Sequence, residues 1–144
     1  METDIKMKKT LAIIICVILI ACMLCSCTEK QTLTTEDGIS FSYEKMTVMD
    51  SFETVTPETQ GNQILCVTIS APFSTDIDAV KNAFFGETSS TVTDGTNTYE
   101  CKAVAYGNGS DSIVFNALYE IPSGMVDTQF TVNGSFGSFS GTAK

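Results

Sequence analysis

The chain has 144 residues, eight Lys, 17 Asp and Glu, no Arg, no His and no Trp, and a formal net charge of −9. Nucleic-acid binding needs a basic surface that displaces counterions, and an acidic one repels phosphate. Without His or Arg there is no Ser-His-Asp or Cys-His nucleophile, no His-ligated zinc and no guanidinium fork for phosphate or carboxylate.

The first predicted element is a signal segment. Lys6, Lys8 and Lys9 precede an apolar run from Leu11 to Leu24, "LAIIICVILIACML". A basic region, an apolar region and small residues at its end make a secretory signal peptide. Glu2 and Asp4 are unusual in such a segment, and "MKKTLAIII" from Met7 is an alternative start of translation. The run of 14 residues is short of the roughly 20 needed to span a bilayer as a helix.

The run ends in Leu24-Cys25-Ser26-Cys27. An aliphatic residue, two small residues and a cysteine resemble the lipobox of bacterial lipoproteins. The resemblance implies that the Cys27 thiol accepts a diacylglyceryl group and becomes the mature N-terminus, leaving 1–26 as signal peptide. Cys22 ends "LIAC" and fits the same pattern, but cleavage there leaves "MLCSC" exposed, whereas "TEKQTLTTEDG" after Cys27 is polar at once. Two acyl chains suffice for stable attachment to a membrane. The expected location is the extracytoplasmic face of a cell membrane, with the lipid as the link.

Residues 27–37 have no apolar period and are expected to form a polar tether. The domain is expected at 38–144. In "GISFSYEKMTVMDSF" Ile39, Phe41 and Tyr43 share one parity and Met46 and Val48 the other, which predicts a strand with a bulge near Glu44-Lys45. "TPETQGN" is a turn. "QILCVTIS" is a strand with Leu65, Val67 and Ile69 toward the core and Cys66 with Thr68 on the other face. Ile77, Val80 and Phe84 then recur at helical spacing in "STDIDAVKNAFFG", with Thr75 as the expected cap, Asp78 three residues on and Gly86 near the end.

Strands resume in "STVTDGTNTYECKAVAYG". Asp94-Gly95 predicts a hairpin turn, and Tyr99, Cys101, Ala103 and Ala105 share a face. After the "GNGSD" loop, Ile113, Phe115, Ala117, Tyr119 and Ile121 line up in "SIVFNALYEIP". Asn133-Gly134 predicts a second hairpin between "VDTQFTV" and "SFGSF". About seven short strands with frequent turns and one inserted helix predict an all-β antiparallel sandwich.

The pieces "YEKMTVMDSF", "ILCVTISA", "VTDGTNTYE", "IVFNALYEIPSGM" and "TQFTV", in that order, resemble an immunoglobulin-like domain of unknown function common in bacterial lipoproteins and grouped with the immunoprotective extracellular proteins. The resemblance covers most of residues 38–133 and departs at "TDIDAVKNAFFG", where such domains have a short polar connection. It implies an immunoglobulin-like sandwich and brings no activity, cofactor or site residue.

Asp76 and Asp78, with "DGTN" and "GNGSDS", supply the oxygen ligands that calcium takes, but a helix N-terminus and turn chemistry account for them equally, and no metal is assigned. Tyr43, Tyr99, Tyr106 and Tyr119 at strand spacing are core-type residues, with Phe136 and Phe139 the expected exposed aromatics for a glycan or peptide surface. Cys66 and Cys101 have opposite parity, so both thiols are expected to be free. The function expected is non-catalytic: a lipid-anchored module that binds an extracellular or envelope protein or glycan, without cofactor and without nucleic acid. A small cell-surface hydrolase and an accessory subunit of a membrane complex are the alternatives.

Overall fold

A computed structural model describes residues 30–144. Among these the chain forms eight strands and one helix: β1 (Thr32–Thr34), β2 (Ser40–Met49), β3 (Asn62–Ala71), α1 (Ile77–Phe84), β4 (Thr91–Thr93), β5 (Thr98–Asn108), β6 (Ile113–Pro122), β7 (Gln129–Gly134) and β8 (Gly137–Thr142). All strand pairings are antiparallel, in one continuous sheet of order β1-β2-β3-β6-β5-β4-β7-β8. The all-β expectation holds at this level.

The sheet nearly closes on itself, and β2 is where it does so. The outer edge of β2 serves two partners in succession. Ser40–Ser42 pairs with β1, and Met46 bridges Ala143 in parallel. The Lys144 N–H donates to the Met46 carbonyl (3.2 Å) and the Val48 N–H to the Lys144 carbonyl (2.9 Å). The expected bulge lies between these two partners, with the register shifting between Tyr43 and Lys45. A bulge adds a residue and bends the strand, and here it marks the change from the N-terminal to the C-terminal neighbour.

β5 divides in the same way. Thr98–Glu100 pairs with β4 and Cys101–Asn108 with β6, with a register shift between Cys101 and Ala103. That second bulge, at Lys102, was not legible in the sequence and corrects the expected face. Cys101 lies in the main core, but Ala103 packs on the opposite side of the sheet with Cys66.

The main core fills the space the sheet encloses. Leu65, Val67 and Ile69 from β3 and Ile113, Phe115, Ala117, Tyr119 and Ile121 from β6 all point into it, as their parity predicts. Each large side chain so buried contributes about 1.5–3 kcal/mol before chain entropy is subtracted. One end is plugged by aromatics: Phe41 lies 5.4 Å from Phe84, 5.2 Å from Phe136 and 6.4 Å from Phe139, ring centre to ring centre. α1 contributes Phe84 and Val80 to this plug, both fully buried. Its cap is Asp76 rather than Thr75: the Asp76 carboxylate accepts from the N–H groups of Asp78 (3.0 Å) and Ala79 (3.2 Å). An N-cap carboxylate satisfies donors that the first helical turn leaves unpaired.

Two further expectations are corrected. Thr32–Thr34, inside the segment expected as a tether, is a strand; its Leu33 packs against the core and Gln31 accepts from the Tyr43 N–H through its carbonyl (2.9 Å). The β7–β8 turn is Ser135-Phe136, flanked by the Gly134–Gly137 pair, two residues beyond the predicted Asn133-Gly134. The Asp94-Gly95 turn forms as predicted, with Gly95 at φ 96° and Asp94 accepting from Thr96 and Asn97.

Candidate functional site

Cys27, the expected lipidation site, lies outside the described residues, as do the alternative Cys22 and the whole signal segment. What the structure does describe is the chain just beyond. Lys30 stands two residues before β1, and its ammonium meets the Glu44 carboxylate of β2 at 2.7 Å. The Lys30 ammonium and the Ser70 hydroxyl beside Glu44 hold its carboxyl below the ordinary range, and the Lys30 pKa rises in return. Gln31 donates from its side chain to the Ser140 carbonyl (3.0 Å), which fastens the start of β1 to β8. The opposite end of the chain arrives at the same place, where Lys144 pairs with Asp127 at 2.6 Å. The two described ends therefore share one seam of the sheet, on either side of the β2 bulge.

The acidic residues considered for calcium come together only in part. Asp76 and Asp78 line an open cleft of about 370 Å³ with Glu36, Asp37, Asn82 and Ser135, between the β1–β2 turn, the start of α1 and the β7–β8 turn. Among the described residues no three His, Cys, Asp or Glu side chains converge as metal ligands would. The Asp76 carboxylate is already engaged as the cap of α1. The "DGTN" acid is engaged too: backbone N–H groups of Asn97 and Thr96 hold the Asp94 carboxyl below its ordinary value.

A second, smaller depression of about 270 Å³ lies beside Glu58, Tyr99, Lys102 and Glu120. Partial burial pulls the Glu120 carboxyl upward, but bonds from the N–H groups of Thr59 (2.8 Å) and Glu58 (3.0 Å) and from the Asn62 amide (3.0 Å) outweigh it and the pKa falls. Its oxygens accept these bonds from the end of the β2–β3 loop and the start of β3.

Tyr119 lies in the core and Tyr43 and Tyr99 pack against it as expected, but Tyr106 and the C-terminal phenylalanines depart from the expectation. Phe136 and Phe139 are 6% and 3% exposed and belong to the plug. The exposed aromatics are Phe73, Phe85 and Tyr106, about half exposed each. Lys81 of α1 stands 5.5 Å from the centre of the Tyr106 ring, within cation–π range. The C-terminal pair was expected outside because of its place near the end of the sequence; Phe136, in the β7–β8 turn, instead folds back over Phe84 (4.7 Å), and Phe139 of β8 points into the same plug. The exposure of Phe85 was readable: it falls off the Ile77–Val80–Phe84 stripe, one residue before Gly86.

Cys66 and Cys101 are both free, on opposite faces of the sheet, as parity predicts. The sequence missed that Cys66 is also buried. Phe52 and Val55, in the loop after β2, fold over it together with Met49. Burial pushes both thiols above their ordinary pKa, which lowers the thiolate fraction and hence reactivity. A buried polar node was missed as well. The Ser90 hydroxyl donates to the Phe84 carbonyl (2.8 Å) and lies 2.7 Å from the Tyr119 hydroxyl, while the Ser90 carbonyl accepts from the Cys101 N–H (3.0 Å). Nothing in the local sequence of Ser90 separates it from the exposed serines around it.

Comparison with protein-family models, with curated proteins and with solved structures finds no match to this chain, so the immunoglobulin-like resemblance rests on the sequence features quoted above.

Proposed function

We propose that this chain is a lipid-anchored protein of the extracytoplasmic face of a cell membrane, whose single β domain binds an extracellular or envelope protein or glycan without catalysis. The observation that carries the reading is Leu24-Cys25-Ser26-Cys27 at the end of an apolar run, followed at once by polar chain and then, from Lys30, by the folded domain. The engagement of the Glu120, Asp94 and Asp76 carboxylates in holding turns and a helix cap supports a binding role over hydrolysis. Mass spectrometry of the membrane-extracted protein tests the anchor: a diacylated peptide beginning at Cys27 is expected, and an unmodified Cys27 in a chain still starting at Met1 or Met7 refutes it. The binding role is tested by crosslinking on intact cells, where a defined partner is expected.

We also read the sheet as an immunoglobulin-like sandwich. The support is the division of β5, whose first part belongs with β4, β7 and β8 and whose second part belongs with β6, β3, β2 and β1. An experimentally determined structure with two flattened, facing layers upholds this reading, and a round barrel wall with no flattening rejects it.

A further inference from the structure

We propose that the seam beside β2 is the membrane-facing surface of the domain, held against phospholipid headgroups by the lipid on Cys27. The inference rests on the lipidation proposed above and adds an orientation to it. Three residue steps separate Cys27 from Lys30, so the anchored sulfur's residue lies at most about 11 Å along the chain from a residue fixed in the fold. A tether of eleven residues would let the domain turn freely. The chain instead enters the sheet at Lys30, pinned by Glu44, with Gln31 bonded to Tyr43 and Ser140. The wall around that point must therefore lie next to the bilayer.

The charge distribution fits the same face. The described domain carries five lysines against 14 Asp and Glu, a net of −9. Three of the five lysines stand at the seam: Lys30, Lys45 beside the bulge, and Lys144 bonded to the backbone of Met46. The carboxylates with them are Glu44, Asp127 and Asp111, the last acting on Lys30 through space. With Glu36 and Asp37 of the β1–β2 turn and Asp50 next to β2, three cations meet six anions at the seam, a net of −3, while the remaining two lysines and eight acids put −6 on the other walls. Anionic headgroups repel those walls more than this one. Lys45 and Lys144 are exposed and positioned to meet lipid phosphates.

The test uses the full lipidated chain, its Cys27 modification verified by mass, reconstituted in vesicles of phosphatidylcholine with phosphatidylglycerol. A fluorophore is placed on T142C, at the C-terminal side of the seam, or on T96C, in the β4–β5 turn on the opposite wall of the nearly closed sheet. Both positions are exposed, and the native thiols are buried. Headgroup-attached quencher lipids are expected to quench T142C several-fold more than T96C, and K45E is expected to narrow the difference in anionic vesicles. Equal quenching, or stronger quenching at T96C, with Cys27 lipidated, overturns the orientation alone. A chain without lipid on Cys27 overturns the anchor, and the orientation with it.

Discussion

Tyr119 is the largest fully buried side chain of the core, and its hydroxyl is met by Ser90. Burial raises its pKa far above the ordinary value of 10. The phenol therefore stays protonated in the folded chain at pH values where the unfolded chain ionises it. The unfolded state then binds fewer protons than the native state, so the Tyr119 contribution is full below about pH 10 and is lost as pH rises beyond it, on top of the loss that the buried Cys66 and Cys101 thiols begin at lower pH. Urea unfolding of the described domain between pH 8 and 11 should show that fall. Tyr119→Phe should lessen its slope by an amount approaching about 1.4 kcal/mol per pH unit; an unchanged slope would mean that Tyr119 ionises in the fold. At neutral pH, Ser90→Ala should cost about 1–3 kcal/mol, because it removes the partner of a buried hydroxyl.

At the scale of elements, the β6 strand and the helix stripe were legible because a long, regular alternation faces one continuous core. β1 was not, because three residues with a single apolar side chain carry no period; its pairing is made by main chain, and its place is set by the edge of β2. Its contribution can be measured. The chain 30–144 should unfold cooperatively, while 38–144, which lacks β1, should be less stable by about 2–4 kcal/mol through loss of Leu33 packing and edge hydrogen bonds, and should self-associate through the opened edge. Equal melting of the two would return Thr32–Thr34 to the status of a tether. For α1, Asp76→Ala should cost about 0.5–2 kcal/mol in thermal or chemical unfolding, and Thr75→Ala under about 0.5. The sequence pointed to Thr75 as the cap, but its N–H is taken up in the turn after Pro72, donating to the Pro72 carbonyl, and the cap falls to the next residue.

Across the whole molecule, what the sequence lacked was contact between distant segments. Parity put Cys66 and Cys101 on opposite faces, and that held because parity is a local property of each strand. The covering of Cys66 by Phe52 and Val55 is a fold-back of a loop, with no periodic trace. The consequence is measurable without knowing the ligand: two thiols should titrate in the denatured domain prepared without reductant, and none should react rapidly in the native one. Fast native labelling at Cys66 would mean that the loop over it opens readily. The candidate sites fared worse than the fold for a related reason. Asp76, Asp94 and Glu120 are residue types that ligands use, but turns and caps use the same carboxylate oxygens, and only the arrangement in space distinguishes the two.

The pairing of β2 with Ala143–Lys144 also bears on how the protein folds. Synthesis delivers Ser40–Met49 well before Ala143–Lys144, so the contact that shuts the sheet joins segments far apart in the chain. Contacts of such long sequence separation slow folding, because loop-closure entropy is lost before they form. Until Lys144 has emerged, the Val48 donor and the Met46 acceptor stay open to any other extended chain. A copy in which that contact has not formed is thus vulnerable to its own neighbours, and the pairing of Met46 and Val48 with Ala143–Lys144 acts as the latch that ends the exposure.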